Sequence, residues 1–181
     1  DQTLTLSYEE LNRLTARDYP TGTDVTYTYD STSGGNYGRG KRTSMTDALG
    51  VNSHTWKYDS RGRLIREDKT LDSTTYTTEY SYDGADRITT VTYPNPGGSG
   101  EVVTQTYNGR GLPYTLVGTV AGNLVTGALY NQLGALTEIN LWNTSGSMRT
   151  TYGYYQTGGA YDTAGGYYGR LWEVKTTKQP G

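Results

Sequence analysis

One seven-residue stretch decides the fold of this chain: Tyr58-Asp59-Ser60-Arg61-Gly62-Arg63-Leu64. Its centre has the residue order of a type I turn, with Asp first, where a side-chain oxygen accepts local backbone hydrogen bonds, and Gly fourth, where φ is positive. The stretch therefore predicts a β-hairpin closed by a type I turn and a G1 bulge.

The same pattern recurs along the chain. Further copies begin at Tyr8, Tyr82, Tyr107 and Tyr130, and the intervals between anchoring tyrosines from Tyr58 onward are 24, 25 and 23 residues. Two more copies carry insertions, at 27–42 and 152–171. A period this regular predicts a single array of about seven repeats over residues 1–181.

The turn positions carry a consistent chemistry. Wherever the fourth residue is not Gly, it is Asn or Asp, which tolerate the left-handed region best among non-Gly residues. We therefore expect structural turn roles for Asn12, Asp59, Gly62, Asp83, Asp86, Asn108, Gly111, Asn131 and Gly134. Leu112 and Ala135 replace the closing Arg, so we expect their turns to splay or to lack a charge partner.

Composition supports an all-β chain built on tyrosine. Among 181 residues there are 32 Thr, 25 Gly and 19 Tyr, but only 27 Leu, Ile and Val together and no Phe. Tyr and Thr suit a pleated, half-buried surface. We predict tandem antiparallel hairpins that form a curved or spiralling sheet, as a partial shell, a barrel or a solenoid-like ribbon, whose open edges accept another strand.

Charge and cysteine content exclude several classes. The net charge of −2 gives no electrostatic footprint for nucleic acid, and no apolar run approaches the roughly 20 residues that span a bilayer. Zero Cys excludes a disulfide framework and a zinc-thiolate site. We predict no cofactor, no metal and no nucleic-acid partner.

Candidate catalytic residues have simpler explanations. The stretch 35–42 departs from a phosphate-binding loop, because Arg42 replaces the hydroxyl residue and no helix follows. His54 is the one histidine, and we expect it to be solvated near a turn. The carboxylates fit turn capping or a solvated face, and Asp–Arg pairs are expected to form a ladder along the turns. We predict that the chain is not an enzyme.

The repeat resembles the YD repeat of the Rhs family, found in Rhs effectors, C components of Tc toxins, wall-associated proteins and teneurins. The residues that carry the resemblance are 58–64, Tyr80-Ser81-Tyr82-Asp83 and 87–94, and 40–47 resembles the longer variant of the repeat. The resemblance implies a β-sheet spiralling into a shell wall, in a secreted or cell-surface protein. No segment resembles the self-cleaving region that ends Rhs shells.

Two functions follow. The first is a non-enzymatic structural module that builds a shell wall or a self-associating fibre, with other YD repeats of the same or neighbouring chains as partners. The alternative is a carbohydrate-binding or adhesive module, because flat aromatic rings stack on sugars. Its candidate residues are Trp56, Tyr76, Tyr80, Tyr82 and Trp142.

Overall fold

The computed structural model describes residues 3–20, 24–47, 52–143, 146–155 and 169–179. The described part contains fourteen β-strands, no α-helix and one short 3₁₀ turn at Ser33–Gly35. The predicted all-β class and its antiparallel hairpins are confirmed.

The chain divides into two compact units, residues 1–101 and 102–181. In the first, each strand pairs antiparallel with its neighbour in the chain. Its strands are β1 Thr5–Tyr8, β2 Leu14–Asp18, β3 Val25–Tyr29, β4 Arg42–Asp47, β5 Ser53–Tyr58, β6 Leu64–Leu71, β7 Thr74–Tyr82 and β8 Ile88–Thr92.

The second unit repeats the same up-and-down pairing. Its strands are β9 Val102–Tyr107, β10 Pro113–Gly118, β11 Gly122–Tyr130, β12 Leu136–Asn143, β13 Gly146–Tyr154 and β14 Leu171–Lys178. Part of the insertion in the last hairpin, 156–168, lies outside the described residues. A single array over residues 1–181 stays a prediction.

Each hairpin that closes at an anchoring tyrosine shifts register where its strand meets the turn. The shift falls next to the anchoring tyrosine, as between Lys57 and Tyr58 and between Ser81 and Tyr82. One strand thus carries one extra residue, which is the geometry of a β-bulge. The tyrosine then pairs with the first residue of the returning strand, as Tyr58 does with Leu64.

The sheet of the first unit has two chemically different faces. One cross-strand row runs Tyr27, Met45, His54, Lys69 and Tyr76. We call its side the aromatic face. The next row, on the opposite side because side chains alternate, runs Thr28, Ser44, Thr55, Asp68 and Thr77. We call that side the polar face.

Tyrosine also replaces aliphatic residues in the interior. Among the described residues, the buried apolar side chains are Tyr27 and Ala128, and no large side chain is fully buried. Most residues of the aromatic face are half-buried, since the sheet of this unit is a single layer. Contacts between neighbouring hairpins are therefore central to stability.

The Gly-rich insertion of the second hairpin makes hydrogen bonds to the backbone of β5, as a neighbouring strand would. The Asn36 side chain donates to the carbonyl of Trp56 at 3.0 Å and accepts from the N–H of Tyr58 at 2.9 Å, and the N–H of Tyr37 donates to the carbonyl of Tyr58 at 3.0 Å. Gly38 is required here, because a Cβ would lie 2.6 Å from the carbonyl oxygen of Ser31.

Candidate assembly site at the hairpin junctions

In four of the turns, one side-chain oxygen holds the backbone. Oδ1 of Asp59 accepts from the N–H groups of Arg61 and Arg63, both at 2.9 Å. The N–H of Gly62 donates to the carbonyl of Asp59 at 2.8 Å, as a type I turn requires. Oδ1 of Asp83 makes the equivalent pair of bonds at 2.9 and 3.0 Å.

The turns that close without Arg do not splay. Oδ1 of Asn108 accepts two N–H bonds at 2.9 and 3.1 Å, and Oδ1 of Asn131 accepts two at 3.0 Å. Asn makes the same bonds as Asp but carries no charge, so these turns need no cation. Of the two outcomes expected at Leu112 and Ala135, splaying is therefore wrong, and these turns instead close through an uncharged Asn.

The fourth turn residues have positive φ. The values are 57° for Asn12, 77° for Gly62, 64° for Asp86, 78° for Gly111 and 83° for Gly134. Asn and Asp stand at the two non-Gly positions because their short polar side chains tolerate this region.

Electrostatics favours the charged form of the turn aspartates. The pKa of Asp83 lies below its usual range, because the Arg87 side chain and the turn N–H groups stabilise the carboxylate. For Asp59, partial desolvation raises the pKa, but bonds from the Arg63 N–H and guanidinium and from the Arg61 N–H outweigh it, so the pKa is also lowered.

Five strand-end tyrosines join their hairpin to the preceding one. The Tyr82 hydroxyl donates to the carbonyl of Leu64, the first residue of β6, at 2.7 Å. We call this contact a hairpin junction. It recurs at 2.6–3.0 Å in four further pairs: Tyr29 with Leu14, Tyr58 with Arg42, Tyr130 with Pro113, and Tyr154 with Leu136.

A cation covers the tyrosine ring at three of these junctions. The guanidinium carbon of Arg63 lies 4.6 Å from the ring centroid of Tyr82, and that of Arg13 lies 4.4 Å from Tyr29. Lys41 lies 5.2 Å from Tyr58. In each case the last residue before the returning strand of one hairpin stacks on the tyrosine of the next hairpin.

Arginines also bridge successive turns. Nη1 of Arg63 lies 2.7 Å from Oδ1 of Asp86, and Nη2 of Arg61 lies 2.9 Å from Oδ2. Arg13 similarly pairs with Asp30. In the second unit, Arg110 donates to two carbonyls of the following turn, those of Asn131 and Gln132.

The aromatic residues predicted for sugar binding fall into two groups. Trp56, Tyr76, Tyr80 and Tyr82 share the aromatic face of the first unit, whereas Trp142 lies in β12 of the second. Trp142 is 49% exposed and Tyr76 is 38% exposed. Burial raises the pKa of Tyr80 and Tyr82, which are half-buried.

Trp56 already has partners on its ring. The guanidinium of Arg42 lies 4.7 Å from its centroid, the His54 ring lies 4.2 Å away, and its Nε1 donates to Oε1 of Glu67 at 3.2 Å. The ring of Tyr82 likewise stacks under Arg63. These two aromatics thus have structural contacts.

His54 differs from the sequence expectation. It is the second residue of β5 and is half-buried rather than solvated, and its Nε2 contacts Oε1 of Glu67. In the part of the chain that the structure describes, no three His, Asp or Glu side chains are grouped as metal ligands. Nor does any helix there have the length and apolarity to cross a membrane.

The hairpin junction was missed in the sequence. The sequence places a tyrosine at the end of every odd-numbered strand from β1 to β13. At the five junctions, however, the partner of this tyrosine lies 15–18 residues earlier, on the neighbouring strand. The recurring basic or aliphatic residue after each turn was a signal, because it marks the strand start whose carbonyl accepts the bond.

Comparison with known proteins identifies the repeat. The antiparallel hairpins and their tyrosine-anchored turns define a β-hairpin repeat protein. The RHS Repeat family model matches residues 58–97. This match confirms the predicted resemblance to Rhs repeats. No curated protein sequence matches the chain.

Solved Tc toxin structures share the fold. The Photorhabdus luminescens Tc holotoxin pore with the TccC3-D651A mutation matches 97% of the chain at 14% identity and a TM-score of 0.54. The TcdB2-TccC3-TEV crystal structure matches 97% at 13% identity and a TM-score of 0.52. The present chain covers 10% of each of those chains.

Proposed function

We propose that this chain is a non-enzymatic wall-building module of a secreted or cell-surface protein. It extends a β-sheet by stacking hairpins and joins further YD repeats of the same or neighbouring chains, as part of a shell or a self-associating fibre. The observation that carries the proposal is the hairpin junction. The same contact joins one hairpin to the preceding one at five places, so it can also join further hairpins to the sheet.

The energetic argument concerns the single-layer sheet. An isolated hairpin is marginally stable in water, and stacking its neighbours supplies the missing stabilisation. Here each added hairpin gains a ladder of backbone bonds, a tyrosine hydroxyl bond and, at three junctions, a cation over the ring. The RHS repeat at 58–97 and the fold shared with Tc toxin structures support a structural role.

Light scattering combined with negative-stain electron microscopy over a concentration series tests this function. Regular filaments support the fibre form. A monomer of about 20 kDa at every concentration contradicts it and leaves the shell-wall form, in which the further repeats belong to the same polypeptide. Turnover of a glycoside or ester substrate by the purified chain would contradict the non-enzymatic assignment.

Carbohydrate binding is the second candidate function. The exposure of Tyr76 and Trp142 favours it, since both rings offer surface to solvent. Binding to a panel of sugar polymers, measured for the unaltered chain, Tyr76→Ala and Trp142→Ala, tests it. Loss of binding in a folded variant supports the adhesive role, and no binding by the unaltered chain overturns it.

A further inference from the structure

The two outer strands carry the two halves of a hairpin junction. β1 pairs only with β2 among the described residues, and its anchoring tyrosine, Tyr8, is 56% exposed. β14 pairs only with β13 there, and it begins at Leu171. Leu171 pairs with Tyr154 as Leu64 pairs with Tyr58. It therefore occupies the position whose carbonyl accepts the next tyrosine hydroxyl.

We infer that β14 of one copy of this chain docks on β1 of a second copy, with the Tyr8 hydroxyl donating to the carbonyl of Leu171. The inference rests on the proposed function and names its partner: a second copy, held head to tail. It continues an interface that the chain already forms five times within itself.

The internal junctions fix the register of this contact. At four of them, the residue three before the tyrosine lies opposite the residue two after the acceptor. The pairs are Thr26 with Ala16, Thr55 with Ser44, Glu79 with Arg66, and Thr151 with Glu138. Applied to Tyr8 and Leu171, this rule places Thr5 of one copy opposite Glu173 of the other.

An independent observation supports this register. With Thr5 opposite Glu173, Leu6 lies opposite Trp172 and Leu4 opposite Val174, because antiparallel residues pair in reverse order. All four are exposed apolar side chains, from 43% for Leu6 to 54% for Val174. A slip of one residue would place these side chains on opposite faces. The register set by the tyrosine thus also covers the apolar residues of both edges.

Disulfide trapping tests the register directly, because the chain has no cysteine. Chains carrying Leu6→Cys are mixed with chains carrying Trp172→Cys under mild oxidation, and a mixed disulfide-linked dimer of about 40 kDa is expected. The matched control mixes Leu6→Cys with Glu173→Cys, whose side chain points to the other face. Equal yields in both mixtures, or no mixed dimer in the first, overturn the inference.

Sedimentation of the unaltered chain separates this inference from the proposed function. Tyr8→Phe is expected to weaken association by about two- to tenfold, through the loss of one hydrogen bond. Tyr37→Phe, at another exposed tyrosine, should leave association unchanged. Association that Tyr8→Phe leaves intact overturns this contact but not the assembly role. A monomeric unaltered chain overturns both this contact and the fibre form.

Discussion

Single turn residues carry most of the local specification. In Asp59 and in Asp83, one carboxylate oxygen accepts hydrogen bonds from two turn N–H groups. The other oxygen pairs with an arginine, Arg63 for Asp59 and Arg87 for Asp83. In Asn108 and Asn131 the same two backbone bonds form without the ion pair. The turn conformation therefore depends on the two hydrogen bonds to the backbone, and the ion pair with arginine is not needed for it.

Replacement of Asp59 separates these two contributions. Asp59→Asn keeps the acceptor and loses the pair with Arg63, so we expect a loss of at most about 1 kcal/mol in the free energy of unfolding. Asp59→Ala also loses both backbone bonds, and we expect a further loss of about 1–2 kcal/mol. Urea unfolding at neutral pH measures both. Equal losses for the two variants would contradict the role of the bonds.

Gly62 tests the requirement for positive φ. Gly62→Val forces a β-branched residue to a φ near 77°, and we expect it to destabilise the fold by more than about 1 kcal/mol. Gly62→Asn is the matched control, since Asn12 adopts a φ of 57° at the equivalent position. Thermal unfolding compares them, and an unchanged melting temperature for Gly62→Val would refute the turn assignment.

Strand pairs are joined by tyrosine, which replaces the aliphatic core of other β proteins. The hydroxyl reaches the carbonyl of a neighbouring strand, and the ring fills the space under the closing cation. Loss of the hydroxyl alone leaves the ring packed. A Tyr→Phe change at a junction therefore isolates the hydrogen bond.

Tyr82→Phe is expected to lower the free energy of unfolding by about 1 kcal/mol, because the carbonyl of Leu64 loses its side-chain donor. Tyr76→Phe on the same strand is the control, since Tyr76 lies away from the junction and its side chain is 38% exposed. Chemical unfolding of both variants measures the difference. A cost as large for Tyr76→Phe would show that the junction bond is not responsible.

Alkaline pH should weaken several junctions together. Burial raises the pKa of Tyr58, Tyr82 and Tyr130 above the value in the unfolded chain. Their stabilisation is therefore complete below a pH of about 10 and is lost as the pH rises through the raised pKa. Melting temperatures across this range, with phenolate absorbance, measure the effect. A melting temperature that does not fall would contradict it.

Across the whole chain, carboxylates make the fold sensitive to acid. Bonds to Arg, N–H, hydroxyl or amide groups lower the pKa of Asp30, Asp59, Asp68, Asp83 and Glu138. Their contribution to stability is present above a pH of about 4 and is lost as the pH falls through the lowered values. The pKa of Asp18 is raised by neighbouring Asp24, which has the opposite effect.

We expect the melting temperature of the chain to fall on acidification below a pH of about 4, because among the described residues five carboxylates with a lowered pKa outnumber the single one with a raised pKa. Thermal unfolding over a pH series measures the trend. Asp59→Asn should show a smaller fall than the unaltered chain, since it lacks one of the titrating groups. An acid-independent melting temperature would contradict the ion-pair assignments.

The hairpins and their turns were predictable from the sequence, because an Asx residue, a positive-φ residue and a strand-end tyrosine act within seven residues of one another. Asp59 to Gly62 specify their turn with little help from the rest of the chain. The pairing of the Asn36 side chain with the backbone of β5 was not predictable, since its bonds reach Trp56 and Tyr58, about twenty residues away.

The sequence also determined that tyrosine would replace phenylalanine in an all-β chain. Which tyrosines pack and which remain exposed depended on tertiary structure. Tyr82 and Tyr76 lie on the same face of β7. Tyr82 bonds to Leu64 and stacks under Arg63, whereas Tyr76 is exposed. The reason is physical: a strand pattern fixes the face of each side chain, but pairing between strands decides which carbonyl and which cation lie within its reach.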